Sequence, residues 1–328
     1  MQRHRSAWLV PAMLATVGCS ADPGASSADA TQVLRTPWGD PDLQGMWPID
    51  RLNGTPVQRP ETFGERRFLT DEEFAERAER LRTLNARYDQ EIASNKMGNG
   101  HWAEMGEPNR LTSLIVEPAN GRVPPLTAEG ERRSALMTST WSNIPFDKVS
   151  DFNALDRCIT RGMPASMFPF MYNSGIEIMQ APGYVIIRLE LVHETRVVPI
   201  DGRPALEPEI VQWLGDSRGR FEGDTLVIET RNFNGETPML IVGPGGKPIP
   251  TSFDMRIVER LRRVSEDTID YEIAVADSVV LTEPWKAAFP LQRDDSYRMF
   301  EYACHEDNSA IRNFIETSRF ERRARATP

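Results

Sequence analysis

The second half of this chain alternates between apolar and polar residues, and this period of two constrains its fold more than any other feature. In the clearest run, Ile269, Tyr271, Ile273 and Val275 alternate with polar or small neighbours. Such alternation is typical of an antiparallel strand with one buried face.

Similar runs follow one another from about residue 174, and short turns such as Glu222-Gly223-Asp224 join them. The predicted strands are 176–180, 184–191, 195–200, 218–221, 225–232, 255–264, 268–276, 285–291 and 297–304. Strands do not alternate with helices, which disfavours a parallel nucleotide-binding sheet. The pattern predicts a mainly β fold, an antiparallel β-barrel or curved sheet. The stretch from Asp42 to Trp47 resembles the G-x-W start of lipocalin-like, or calycin-like, barrels.

Helices are predicted on both sides of this β region. Thr70-Asp71-Glu72-Glu73 forms a capping-box pattern, and apolar residues at helical spacing continue to about Ala93. A shorter helix is predicted over 128–137, and a C-terminal helix over 308–320.

The first residues have the pattern of a bacterial export signal. A basic start, Met1 to Arg5, precedes a short apolar run and Val17-Gly18-Cys19, which resembles a lipobox. We therefore predict a lipoprotein-type signal over 1–19 with lipid on Cys19, and cleavage near Gly18 without lipid is the alternative. Residues 20–35 are then a tether and 36–325 a single domain. The expected location is the periplasmic side of the outer membrane, to which the lipid on Cys19 would tether the protein.

The net charge argues about binding partners, and the cysteines argue about a disulfide or a metal site. The net charge of −10 argues against nucleic-acid binding. Cys158 and Cys304 remain if Cys19 carries lipid, and an exported chain favours a disulfide between them over two buried thiols. A metal pair that includes His305 lacks the usual ligand spacing, so no metal site is expected. The oligomeric state stays open.

Several long strings resemble a large family of exported, mostly uncharacterised bacterial proteins. They include Thr36-Pro-Trp-Gly-Asp-Pro-Asp-Leu-Gln-Gly45, Gly215-Asp-Ser-Arg-Gly-Arg-Phe-Glu-Gly-Asp-Thr-Leu-Val227 and Glu301-Tyr-Ala-Cys-His-Glu306. The resemblance implies an exported single-domain fold and no particular reaction. Where that family is expected to carry a histidine, this chain reads Asp254-Met255-Arg256.

The candidate catalytic residues centre on the few histidines of the mature chain. His193 and His305 are candidate general bases, because a histidine paired with a carboxylate accepts protons near neutral pH. Glu190 and Tyr172 complete the catalytic set. The candidate substrate-binding residues, which offer charge or hydrogen bonds, are Arg188, Glu301, Asn173 and His101. Surface ion pairs and structural histidines are the alternative explanation.

We expect a small, largely apolar molecule inside the barrel. The favoured function is a cofactor-independent acid–base enzyme, such as a lyase, isomerase, cyclase or hydratase. The alternative is a non-catalytic carrier of lipophilic molecules. A serine hydrolase is a third hypothesis, because Gly215-Asp-Ser217-Arg-Gly219 fits the nucleophile-elbow motif. The hairpin that follows lacks the helix that this motif requires.

Overall fold

Antiparallel strands dominate the computed structural model, which describes residues 34–138, 140, 145–241, 248–306 and 308–326. The strands are β1 Gly45–Met46, β2 Ile115–Glu117, β3 Ile176–Ala181, β4 Tyr184–Leu189, β5 Thr195–Pro199, β6 Asp216–Glu222, β7 Thr225–Arg231, β8 Pro238–Ile241, β9 Pro248–Pro250, β10 Arg256–Arg263, β11 Thr268–Ala276 and β12 Trp285–Gln292. The predicted signal, Cys19 and the tether up to residue 33 lie outside the described residues.

The strands form two open sheets and a small ribbon. One sheet has the order β1-β3-β4-β5, the other β2-β12-β11-β10-β7-β6, and β8 pairs with β9. Neither sheet closes into a barrel within the described residues. The mainly β, antiparallel class is therefore confirmed, whereas the described strands do not show the expected closed barrel.

One hydrophobic core lies between the two sheets. Alternate residues of β3 to β5 point into it from one side, and alternate residues of β7 and β10 to β12 point into it from the other. Gly219 of β6 lies so close to β5 that an added Cβ would be 2.9 Å from Val198. Burying one face of each sheet explains the period of two in the sequence.

Three α-helices flank the sheets in the described residues: α1 Asp71–Ala93, α2 Ala128–Leu136 and α3 Ala310–Ala326. The predicted capping box is present, because the Thr70 side chain accepts from Glu73 N and Glu73 accepts from Thr70 N. Helix α3 begins and ends later than the predicted range of 308–320.

The strand predicted over 297–304 is wrong, since this segment pairs with no strand in the structure. Its residues do alternate in exposure over most of its length, which explains the misleading pattern. The segment is held instead by side chains and by the predicted disulfide, Cys158–Cys304, which is confirmed with a Cα–Cα distance of 5.5 Å.

Candidate functional site

A strained turn lies between β4 and β5, at the place where the sequence pattern predicts a continuous strand to residue 191. Strand β4 ends at Leu189, and a single 3₁₀ turn covers Leu191–His193. Within it, Val192 has φ 61° and His193 has φ 44°. A β-branched residue is rarely found in the left-handed region, and strain of this kind clusters at functional sites.

This turn presents His193 at the surface in a defined orientation. The imidazole is exposed, and its Nδ1 lies 2.8 Å from the backbone oxygen of Tyr302. A carbonyl oxygen can only accept, so Nδ1 carries the hydrogen in this contact. In the neutral ring Nε2 is then unprotonated, which is the form required of a general base.

The buried carboxylate of Glu190 anchors the start of the same turn. Its Oε1 accepts from Asn173 Nδ2 and from Phe300 N, both at 2.9 Å. Its Oε2 accepts from the Tyr297 hydroxyl at 2.7 Å and from Gly175 N at 3.3 Å. Both oxygens are thus occupied, so Glu190 holds neighbouring segments together and is poorly suited to accept a substrate proton.

A second carboxylate, Glu104, shares the Tyr297 hydroxyl with Glu190. The hydroxyl lies 2.6 Å from Glu104 Oε1, and Glu104 also accepts from Ser174 N at 3.0 Å. Burial and hydrogen bonds to these two carboxylates raise the pKa of Tyr297 far above its usual value. Burial and the charge of Glu104 likewise raise the pKa of the nearby Asp50. The surroundings of Glu104 therefore favour the protonated forms of Tyr297 and Asp50.

Aromatic rings lie along one side of this cluster. The Tyr172 ring centroid is 5.3 Å from that of Trp102, 4.8 Å from that of Phe170 and 6.4 Å from that of Tyr302. The rings of Tyr172 and Tyr302 are almost parallel, at 3°. Burial and Tyr172 raise the pKa of Tyr302. These rings offer an apolar surface next to His193 and Glu190.

A small pocket with a cavity volume of about 10 Å³, room for about one water molecule, opens next to Asn173 and Gly175. Arg161 lies in its wall, with Nη1 2.7 Å from the Phe168 oxygen and its guanidinium 4.6 Å from the centre of the Phe170 ring. Burial lowers the pKa of Arg161 to about 10.

Ser166 also lines this pocket, and its hydroxyl is buried. Among the described residues, this hydroxyl has no hydrogen-bond partner. Leaving such a group unpaired costs about 1–3 kcal/mol, so an additional polar atom in the pocket would be favoured.

A separate polar network crosses the core between the two sheets. Arg196 of β5 pairs with Glu259 of β10, whose Oε1 also accepts from the Tyr271 hydroxyl at 2.8 Å. Burial raises the pKa of Tyr271 well above its usual value. Ser217 and Thr230 share a hydrogen bond of 2.9 Å at its edge. The network is buried throughout, which fits a structural role.

The position of Ser217 in this network tests the hypothesis that it is the serine of a nucleophile elbow. Ser217 lies within β6, and its hydroxyl contacts Thr230 and Arg196. A nucleophile elbow places its serine on a turn from a strand into a helix. The structure therefore lacks the context that this motif needs at Ser217.

The sequence pattern also predicts that Arg188, Glu190, Glu194 and Arg196 share one face of a strand, and this is wrong. The turn after Leu189 interrupts the alternation, so Glu190, Glu194 and Arg196 are buried while Arg188 is exposed. Arg188 pairs with Glu177 at 2.7 Å on the outer side of the sheet.

The other predicted site residues occupy more exposed positions. His101 Nε2 lies 2.8 Å from the Lys96 oxygen in a surface loop. Glu301 and His305 are exposed on either side of Cys304. The contacts described above instead bring His193, Glu190, Asn173 and Tyr172 into one region.

Sequence reasoning missed Glu104, Tyr297, Arg161 and Ser166. Glu104 and Tyr297 are 193 residues apart in the chain, and no local spacing links them. Arg161 lies only three residues after Cys158, so the predicted disulfide was the one available indication that its loop would meet the C-terminal segment.

Comparisons with protein-family models, with curated proteins and with solved structures find no match to this chain. In the described residues, no helix has the length and apolar character needed to span a membrane. Nor does this part of the chain contain three or more His, Cys, Asp or Glu side chains grouped as a metal site.

Proposed function

We propose that this protein is an exported, cofactor-independent acid–base enzyme of the lyase, isomerase, cyclase or hydratase type, with His193 as its general base. The observation that carries the proposal is the contact between His193 Nδ1 and the Tyr302 carbonyl. It fixes the tautomer with a free Nε2 lone pair on an exposed ring, as a base requires.

The surrounding residues support this role by positioning the base. Glu190 begins the strained turn and binds Asn173, Tyr297 and Phe300, so it restrains the segments on both sides of His193. A base held in this way needs less reorganisation when substrate binds. Glu190 is accordingly a positioning residue, and Tyr172 supplies an aromatic surface for a largely apolar substrate.

Proton exchange tests the proposal directly. Enzyme-dependent deuterium uptake from D₂O would be measured on a panel of small carbonyl, hydroxy and unsaturated acids. For a substrate that exchanges, His193→Gln is expected to lower the rate by about 10²–10⁴-fold, the usual contribution of a general base. His305→Gln is the matched control, because His305 is also exposed, and its rate should equal that of the wild type.

A nitrogen NMR spectrum supplies a second readout that needs no substrate. His193 should show hydrogen on Nδ1 and a free Nε2 in its neutral form, whereas an unrestrained imidazole mixes both tautomers. Equal exchange rates in His193→Gln and the wild type, or the opposite tautomer at His193, would refute the assignment.

A non-catalytic carrier of lipophilic molecules is the second candidate. Exposed apolar side chains near the site favour it: Phe300 is 73% exposed, Trp102 45% and Met171 38%. The predicted lipid on Cys19 and a lipocalin-like fold would also suit a carrier. Retention of a fluorescent lipophile by both wild type and His193→Gln, without exchange activity in either, would favour this function.

A further inference from the structure

We infer that Tyr297 positions the base His193 only while the carboxyl groups of Glu104 and Glu190 together retain one proton. The phenol oxygen of Tyr297 lies 2.6 Å from Glu104 Oε1 and 2.7 Å from Glu190 Oε2. Oxygen atoms this close have a hydrogen between them. The phenol carries one hydrogen, so the two contacts require a second one, which a carboxyl group must supply.

The pattern of donors places this second hydrogen on Glu104. Glu190 already accepts from four donors: Asn173 Nδ2, Phe300 N, Gly175 N and the Tyr297 hydroxyl. An ionised carboxylate has about four acceptor sites, so all those of Glu190 are used. Among the described residues, Glu104 has only the Ser174 N–H as a further donor. Its Oε1 can therefore donate to the phenol oxygen, while the phenol donates to Glu190.

The surroundings of the two carboxyl groups favour a retained proton. Glu190 is buried, and Glu104 and Tyr297 are half-buried. Two carboxylates on one phenol oxygen would bring two negative charges close together, which favours protonation of one of them. Groups that interact this closely titrate as a pair. Burial and the same hydrogen bonds raise the pKa of Tyr297 far above its usual value, so the phenol keeps its own hydrogen.

The other charged groups near the pair do not replace this proton. Burial raises the pKa of Asp50, and a charge on Glu104 raises it further. This repulsion is mutual, so Asp50 also disfavours a charge on Glu104. The charge of Arg51 acts on Asp50, but Arg51 lies 3.6 Å from Glu107 Oε1 and 4.0 Å from Asp294 Oδ2 and is shared among them. The other charged residues of segment 297–302 are exposed to solvent: Arg298 and Glu301.

The C-terminal segment connects this pair to His193. Tyr297 and Phe300 N both bind Glu190, and the Tyr302 oxygen lies 2.8 Å from His193 Nδ1. The Glu190 backbone oxygen also accepts from His193 N at 2.9 Å, at the start of the strained turn. Both partners of the contact that fixes the tautomer are therefore held by Glu190 and its neighbours.

Loss of the retained proton should release this arrangement. The phenol then faces two carboxylates and can donate to only one of them, so one short oxygen contact has no hydrogen. We expect Tyr297 to leave Glu190, the segment with Tyr302 to move and His193 to exchange between tautomers. The base is thus correctly oriented until the pH rises through the titration of the pair. This coupling rests on the proposed function only in treating His193 as the base.

Glutamine variants of the whole protein test the coupling by nitrogen NMR between about pH 7 and pH 10, where the imidazole is neutral. In the wild type, hydrogen on Nδ1 of His193 should be favoured by about fivefold to tenfold, the effect of one hydrogen bond, and this preference should vanish as the pH rises. Glu104→Gln should keep it throughout, because an amide donates like a protonated carboxyl and does not ionise.

Two further variants separate the roles of the carboxyl groups. Glu190→Gln should mix the tautomers at every pH, because its amide nitrogen cannot accept from the donors that Glu190 binds. Glu107→Gln is the matched control, since Glu107 is an exposed carboxylate three residues after Glu104. Its tautomer profile should follow that of the wild type. Should Glu190→Gln fail to fold, the wild type and Glu104→Gln decide the matter.

The carboxyl carbon of Glu104 gives a readout that does not involve His193. Its NMR signal, identified by its absence from Glu104→Gln, should have the position of a neutral carboxyl at about pH 7 and move to that of a carboxylate as the tautomers mix. An ionised Glu104 at pH 7, or the same tautomer profile in the wild type and Glu104→Gln, would overturn this inference. If both predictions hold but His193→Gln exchanges protons like the wild type, the coupling stands and the proposed base fails.

Discussion

Glu259 lies on the buried face of β10 and carries the only negative charge in direct ion-pair contact with Arg196 within the described residues. Glu259→Gln keeps the shape and removes that charge, which leaves the buried Arg196 without its direct ion-pair partner. Breaking a buried pair from one side costs about 3–5 kcal/mol. We expect urea unfolding to show a loss of that size.

The matched control is Glu229→Gln, because Glu229 pairs with Arg220 at 2.7 Å on the surface. An exposed pair contributes about 0–1 kcal/mol. Equal losses of stability in the two variants would show that Arg196 is compensated in another way.

Gly121 is required where the chain passes over a buried arginine. It has φ +66°, and an added Cβ would lie 2.8 Å from both Arg59 Cζ and Ser113 Oγ. Gly121→Ala combines left-handed strain of about 1–2 kcal/mol with an overpacking cost of about 1–3 kcal/mol. Gly223→Ala, at φ +61° with open space around it, should show only the strain. Similar unfolding midpoints for the two variants would contradict this explanation.

The stability of helix α1 depends on its first turn. Thr70→Ala removes the hydroxyl that accepts from Glu73 N at 3.3 Å and should cost about 1 kcal/mol in thermal or urea unfolding. Thr70→Ser is the conservative control, because it keeps a hydroxyl at the cap and should retain most of that stability. Unchanged stability in Thr70→Ala would mean that α1 is fixed by packing alone.

The same turn predicts a dependence on pH. Hydrogen bonds from Arg66 and from Thr70 N lower the pKa of Glu73 to about 2. A carboxyl with a lowered folded-state pKa stabilises the fold above its unfolded value, near 4.5, and loses that contribution as pH falls toward about 2. The stability difference between wild type and Glu73→Gln should therefore shrink over this interval. A difference that stays constant across it would contradict the assignment.

Local patterns predicted the elements better than their arrangement. Strands β3 and β11 and helix α1 match their predicted ranges closely, because one buried face or a cap fixes each of them. The segment 297–304 alternates in the same way, yet its Phe300 N bonds to the Glu190 carboxylate instead of another strand. Alternation reports which side chains are covered and does not identify the backbone partner. The alternation pattern also does not show whether a sheet closes into a barrel.

The disulfide joins two distant parts of the chain, the loop before β3 and the segment that follows β12. The separation of 146 residues makes this a large closed loop. The chain-entropy model gives about 5 kcal/mol for a loop of this size. The sequence could predict the pairing from the cysteine count, but it could not predict that the joined segments also carry the contacts of His193 and Glu190.

Removing the disulfide should therefore affect the candidate site as well as stability. Tyr302, whose oxygen fixes the His193 tautomer, lies two residues before Cys304, and Phe300 N binds Glu190. In the double variant Cys158→Ser with Cys304→Ser, we expect a loss of up to about 5 kcal/mol and a mixed His193 tautomer in the nitrogen NMR spectrum. If the folded variant keeps the hydrogen on Nδ1, then Glu190 and Tyr297 alone suffice to hold the C-terminal segment. Measuring stability and tautomer together therefore shows whether the disulfide maintains the site or only stabilises the chain.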